Sequence, residues 1–288
     1  MKKRILSVIL GISLAFTVVG CGAKNNAGNN TTTDDTKEES KLEGTVAVIG
    51  STTVQPVAQA IADEFANVET GIKVDVQGVG SSAGVKAANE GTADIGMASR
   101  ELKTKEEEWG LDKHIIAYDG IAVIFNSTNE VTDLTKDQVT KIFKGEITNW
   151  KEVGGADAEI LVVSREAGSG TRGAFEELTD LDGADGSLVT EEAEIKDGNG
   201  AVRAFVAGDE NSIGYISLGY IDDTVKPAVI DGVEATVENI KAGDYSIFRP
   251  LLMITKGELS AETKVYLDFV LGAEGQAIVA KKYIPVTE

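Results

Sequence analysis

Near its start the chain carries a predominantly apolar run over residues 5–19 and then turns polar. From residue 24 to about 43 it is Asn, Thr, Asp, Lys, Glu and Ser with almost nothing apolar between them. A regular pattern follows. Residues 45–49 read as an apolar, β-branched strand that stops at Gly50, and over 56–68 the residues Val57, Ala60, Ile61 and Phe65 recur at helical spacing. The unit then repeats: 73–79 alternates as a strand, Gly80-Ser81-Ser82 turns, a helix is expected over 83–89, and 94–98 forms another short strand. Strands alternating with helices at this period predict a largely parallel, doubly wound α/β sheet.

Residues 115–126 break the rhythm. They are too long and too apolar for one ordinary strand and are interrupted by Asp119-Gly120, which predicts a crossover between two lobes. The second lobe is expected to hold a helix over 134–144 with Thr135 or Asp137 near its start, a strand over 159–164, and a helix from the Gly168-Ser169-Gly170-Thr171 turn through Leu178. A strand over 212–217 and a turn-rich stretch over 231–244 complete it. Residues 248–254 then return as a strand to the first lobe, and 261–271 form a last helix. The expected division is 44–119 with 248–288 as lobe 1 and 120–247 as lobe 2, in mixed, mostly parallel sheets joined by a two-strand hinge. Such lobes enclose a cleft at the carboxyl ends of their strands, where ligands bind in sheets of this kind.

Composition adds a compartment. The apolar run is preceded by Met1-Lys2-Lys3-Arg4 and followed by Gly20 and Cys21, so residues 1–20 are expected to be a secretion signal. Val18-Val19-Gly20-Cys21 resembles the lipobox at which bacterial lipoproteins are cleaved and diacylated. The alternative is a plain signal peptide or short anchor with an incidental cysteine. Cys21 is the only cysteine, so no internal disulfide holds the body together. Residues 21–43 are expected to be the lipidated cysteine and a disordered tether, because their composition buries too little surface to offset the entropy of ordering. The remaining stretch of roughly 245 residues is long enough for two lobes.

The formal net charge of -20 argues against a nucleic-acid surface and against adhesion to anionic headgroups, which leaves the lipid as the membrane attachment. An acidic protein still binds anions, since exposed charges beyond about 10 Å are largely screened at 0.1 M salt while buried donors act at contact.

Three turns carry the candidate chemistry: Gly50-Ser51-Thr52-Thr53, Gly80-Ser81-Ser82-Ala83-Gly84 and Gly168-Ser169-Gly170-Thr171. Each joins a strand to a helix, and helix N-termini present unpaired N–H groups and about half a positive charge, so three together would cage an anion. Taken singly, each reads first as an ordinary helix cap, and it is the three in one chain that point to an anion. Arg165, at the end of a strand and four residues before Ser169, offers a fork for a tetrahedral oxyanion; its alternative is an ion pair with Glu166. Gly78-Val-Gly80-Ser-Ser-Ala83 fits the loose dinucleotide fingerprint and Gly168-Ser-Gly170-Thr-Arg-Gly173 the stricter one, but both are poorly placed for a dinucleotide, and no Walker lysine follows either. Catalysis is poorly supplied, with His114 the only histidine and no base in view for Ser169.

Gly50-Ser-Thr-Thr-Val-Gln-Pro56, Gly78-Val-Gly-Ser-Ser-Ala-Gly-Val85, Asp94-Ile-Gly-Met-Ala-Ser99 and Arg165-Glu-Ala-Gly-Ser-Gly-Thr171 resemble the phosphate-specific substrate-binding proteins of ABC importers. Asn149-Trp150 and Arg249-Pro250-Leu251 are similar to further landmarks of that family, and the likeness runs from about residue 44 onward.

The resemblance implies a two-lobed periplasmic-binding-protein-like fold, inorganic phosphate as ligand and an ABC permease complex as partner. It also implies a lipid-anchored place on the extracytoplasmic face of the bacterial cell membrane, and no catalytic residue, cofactor or metal. A monomer is expected.

The implied ligands are Thr52, Thr53, Ser81, Arg165, Ser169, Gly170 and Thr171. Many members carry an aspartate that accepts the phosphate's proton, and by spacing its place is held here by Ser99. Asp119 is then the candidate acceptor, its alternative being a plain turn residue before Gly120. Arg100 is either a second cationic ligand or a salt-bridge partner. Another tetrahedral oxyanion such as sulfate or molybdate, an extracellular phosphohydrolase using Ser169, and a sensor or adhesin remain as rival readings.

Overall fold

The computed structural model describes residues 42–287. The expected signal segment, Cys21 and nearly all of the expected tether lie outside the described residues.

Strand β1 (Gly44–Gly50) runs parallel to both β2 (Ile72–Gly78) and β3 (Ile95–Ala98). Between β1 and β2, helix α1 (Gln55–Val68) takes Pro56 in its first turn, where the missing N–H costs nothing, and buries Val57, Ala58, Ile61, Ala62 and Phe65. Helix α2 (Ser81–Glu90) starts two residues earlier than the sequence suggests, so Ser81 and Ser82 belong to its first turn. Gly80 makes this possible: its φ of +96° turns the chain where an L side chain is strained. Gly84 lets α2 press onto the sheet, since a Cβ there would stand 2.6 Å from the Gly50 Cα, the Ile49 carbonyl and the Met97 carbonyl.

The crossover segment corrects the expectation of a mid-strand break. Strand β4 (Asp112–Asn126) is continuous over 15 residues. Residues up to Gly120 pair antiparallel with the return strand Phe248–Thr255, and Ile121–Phe125 pair antiparallel with Ser212–Ser217. The chain stays extended because each half finds a partner, while Gly120 serves packing: a Cβ there would lie 2.6 Å from Ile240 Cδ1.

The resulting sheet runs β2, β1, β3, Phe248–Thr255, β4, Ser212–Ser217, Leu161–Arg165, Glu194–Lys196. It is parallel on its two flanks and antiparallel at its centre, where the connecting strands lie.

Among the described residues two large hydrophobic cores sit along this sheet, with a smaller third around Val85, Ala98 and Leu252. One large core gathers Val46, Val48, Ile61, Phe65, Met97 and Tyr266, the other Phe125, Phe143, Trp150, Phe175, Tyr215 and Tyr245. Along β4 the core changes between Ala117 and Ile121, and along the return path between Ile247 and Leu251. The helix expected over 134–144 spans Lys136–Lys144 behind a Thr135 cap, with Gln138 reaching back to the Thr135 N–H. The stretch expected to be turn-rich also holds the short helix Val237–Ala242. Among the described residues, the α-helices Thr104–Glu107, Gly198–Gly208 and Ala273–Val279 appear without a sequence expectation.

Candidate anion-binding site

Parallel neighbours end at the same edge of a sheet, so β1 and β3 deliver Ser51 and Ser99 side by side. The Ser51 hydroxyl accepts the N–H groups of Thr53 (3.1 Å) and Val54 (3.3 Å), which closes the turn into α1, and donates to Ser99 Oγ at 2.9 Å. The Ser99 N–H donates to Ser81 Oγ at 3.1 Å, and the Ser81 and Ser99 hydroxyls lie 3.4 Å apart. In the other lobe the strand Leu161–Arg165 leads to Ser169, whose hydroxyl caps the helix Gly170–Leu178 by accepting the Arg172 N–H at 3.2 Å.

The three turns meet. The hydroxyls of Thr53 and Thr171 are bonded at 3.0 Å, the Ser82 N–H donates to the Gly168 carbonyl at 3.1 Å, and Arg165 Nη2 donates to Thr52 Oγ1 at 3.2 Å. A Cβ on Gly170 would stand 2.2 Å from Ser81 Oγ and 2.6 Å from Ser99 Oγ, so only glycine lets the lobes come this close. Thr53, Ser81, Ser99, Arg165, Ser169 and Thr171 are all buried. The backbone N–H groups of Thr52, Ser81, Gly170 and Thr171 have no acceptor among the described residues, so they are donors in reserve.

Arg165 forms the ion pair with Glu166 and also faces the meeting turns. Its guanidinium is 1% exposed and grips Glu166 through Nε and Nη2, each at 2.7 Å, while also touching Thr52 across the cleft. Burial pushes the Glu166 carboxyl up, yet the Arg165 hydrogen bond and charge, with backbone N–H groups, bring it below its ordinary value. Arg100 is a salt-bridge partner: it holds Glu106 at 2.7 and 2.9 Å and reaches Ser82 Oγ at 3.1 Å.

Asn199 was missed by sequence reasoning, and nothing local marks it within the Gly198-Asn199-Gly200 stretch. Its Oδ1 accepts from Arg165 Nη1 (3.2 Å) and the Ser217 N–H (3.1 Å), and its Nδ2 donates to Thr53 Oγ1 at 2.9 Å. It therefore orients the guanidinium and ties the first turn to the second lobe. Tyr220 and Tyr283 add clamps, donating to the carbonyls of Thr52 (2.9 Å) and Thr53 (3.1 Å).

Asp119, the expected acceptor of the ligand's proton, is buried in an ion pair with Arg249. Its Oδ2 accepts from Arg249 and its Oδ1 from Ser217, and it reaches the turns only through Ser217 and Asn199. Burial pushes the Asp119 carboxyl up and the Arg249 guanidinium down, each opposed by the other's charge. An acid in this position is engaged in holding the strands together.

Comparisons with known proteins show the family and the fold. A family model described as a PBP superfamily domain matches residues 35–274. The phosphate-binding protein PstS of Bacillus subtilis is 33% identical over 294 residues, covering 100% of this chain and 95% of the relative. A Clostridium perfringens structure, described as a phosphate ABC transporter substrate-binding protein with bound phosphate, is 47% identical with a TM-score of 0.82, covering 85% of this chain and 100% of that one. An ABC-type phosphate transport receptor from Vibrio cholerae is 35% identical with a TM-score of 0.74, covering 84% and 100%. A cage of helix N-termini and one guanidinium between two lobes, with full-length likeness of this kind, places the chain: it belongs to the PBP superfamily and, within it, to the family of phosphate-binding PstS proteins.

Proposed function

We propose that this chain captures inorganic phosphate on the extracytoplasmic side of the membrane and passes it to the permease of an ABC importer. The observation that carries the reading is the meeting of three glycine- and hydroxyl-rich turns from two lobes around Arg165, with Thr53 and Thr171 in direct contact. Thr52, Thr53, Ser81, Ser99, Arg165, Ser169, Gly170 and Thr171 are the proposed ligands, with Asn199 holding Arg165 and Thr53 in place. An anion seated there contacts both lobes, so only the closed arrangement gains its full set of hydrogen bonds, and binding drives closure. The family is one of transport receptors rather than enzymes, and its members work outside the cytoplasm. Attachment through a lipid on Cys21, a flexible tether behind it and a monomeric state belong to the same proposal.

Isothermal titration of ligand-stripped protein with phosphate, using sulfate and molybdate as competitors, tests it. Saturable one-to-one phosphate binding is expected; a protein that takes up no phosphate ends the proposal.

A further inference from the structure

A serine or threonine hydroxyl carries one proton and two lone pairs, so its bonds can be counted. Both lone pairs of Ser51 are taken by the N–H groups of Thr53 and Val54, and its proton is thereby committed to Ser99 Oγ. Ser99 Oγ has then accepted once, and Ser81 Oγ has accepted the Ser99 N–H. Whichever way the contact between the Ser81 and Ser99 hydroxyls runs, the receiving oxygen is saturated with donors. Its own proton is left to point between the lobes. Thr52 Oγ1 likewise accepts from Arg165 and keeps its proton, and Asn199, its orientation set by Arg165 and the Ser217 N–H, donates to Thr53.

Among the described residues no unpaired carboxylate balances these donors at the cage. Glu166 is gripped by Arg165, Glu106 by Arg100, and Asp119 by Arg249. Beyond Ser169, Arg172 is paired with Glu176. The remaining ionisable groups near the first turn, the phenols of Tyr220 and Tyr283, donate to backbone carbonyls and are pushed upward, chiefly by burial, away from neutral pH. The lone histidine, His114, is bonded to Thr255 on the return strand.

Resting on the phosphate reading above, we propose that Ser51 is a positioning residue that leaves one hydroxyl proton of the Ser81–Ser99 pair aimed into the cage, so that the site selects the doubly charged tetrahedral anion. The second proton of singly charged phosphate finds only neutral lone pairs there, most of them already engaged. Sulfate, a dianion of the same shape, meets no carboxylate to repel it.

The test is phosphate affinity of the full chain across the pH range that spans the ligand's second ionisation, with sulfate as competitor, for wild type and Ser51→Ala. For wild type the association constant is expected to fall about tenfold per pH unit on the acid side, as uptake of one proton by the ligand requires, and to level off above. Sulfate is expected to compete throughout. Ser51→Ala frees a lone pair on Ser99, so its acid limb becomes shallower, whereas a purely structural loss would lower affinity equally at every pH. A wild-type profile that is flat, sulfate that fails to compete, or a Ser51→Ala profile parallel to wild type overturns the inference while phosphate capture stands. Absence of phosphate binding at every pH overturns both. Should Ser51→Ala fail to fold by circular dichroism, the wild-type profile and the sulfate arm decide alone.

Discussion

Asp119 and Arg249 face one another across the two strands that pass between the cores, and their side chains form an ion pair at 2.9 Å with both residues at 2% exposure. Ser217 donates to the free Asp119 oxygen at 3.0 Å, bringing a strand of the second lobe into the same cluster. One nitrogen, Arg249 Nη1, is buried with no hydrogen-bond partner, so the guanidinium already carries a desolvation cost that only its carboxylate offsets.

Deleting one member of that pair leaves the other charge buried and uncompensated. Asp119→Ala is expected to lower unfolding stability by about 3–5 kcal/mol, and Asp119→Ala with Arg249→Met to recover part of the loss. Urea denaturation of the two variants checks this; a single-variant loss below about 1 kcal/mol would mean that the pair is of no consequence to the hinge.

Gly170 is the narrowest point between the lobes. Its φ is not in the left-handed region, so alanine suits the backbone, but a Cβ would stand 2.2 Å from Ser81 Oγ in the opposing lobe. Gly170→Ala should therefore wedge the lobes apart, abolishing measurable phosphate binding at concentrations that saturate wild type while leaving the melting temperature of the unliganded protein nearly unchanged. Retained affinity would show that closure does not require this contact.

Arg165→Ala should weaken phosphate binding more than tenfold, since a charge-assisted contact in a dry cleft is worth more than about 1.5 kcal/mol. Calorimetry giving wild-type affinity would remove Arg165 from the site.

The Arg100–Glu106 pair sets a pH dependence. Burial pushes the Glu106 carboxyl up, but the Arg100 hydrogen bond, the Lys103 N–H and the nearby positive charges outweigh it and hold the group below its ordinary 4.5. A depressed carboxyl stabilises the fold above its unfolded pKa, and that contribution disappears as pH falls through the folded value. Wild type should thus lose stability on acidification below about pH 4.5, and Glu106→Gln should flatten that part of the curve while being less stable at pH 7. Thermal melts from pH 7 to pH 3 are the measurement; superimposable slopes for the two proteins would contradict it.

Much of this was legible locally. A β-branched run ending in glycine, then hydroxyl residues, then helical spacing is a short-range signal, and it located β1, α1 and β2 within a residue or two. The break read into β4 was an error of the same locality: Asp119-Gly120 looks like a turn until each half of the strand has a partner to pair with. Asn199 offered no signal, because its bonds run to Arg165, Ser217 and Thr53, the last 146 positions away.

The amino-acid order by itself determined where strands hand over to helices and which small residues stand at those junctions, because capping and glycine's backbone freedom act within a few residues. Only the tertiary structure decided that three junctions meet, that Arg165 serves Glu166 and Thr52 together, and that Asp119 belongs to Arg249. Those outcomes depend on side chains brought together by the packing of whole lobes, and the hydroxyls of Thr53 and Thr171 become neighbours across 118 positions only when that packing is complete.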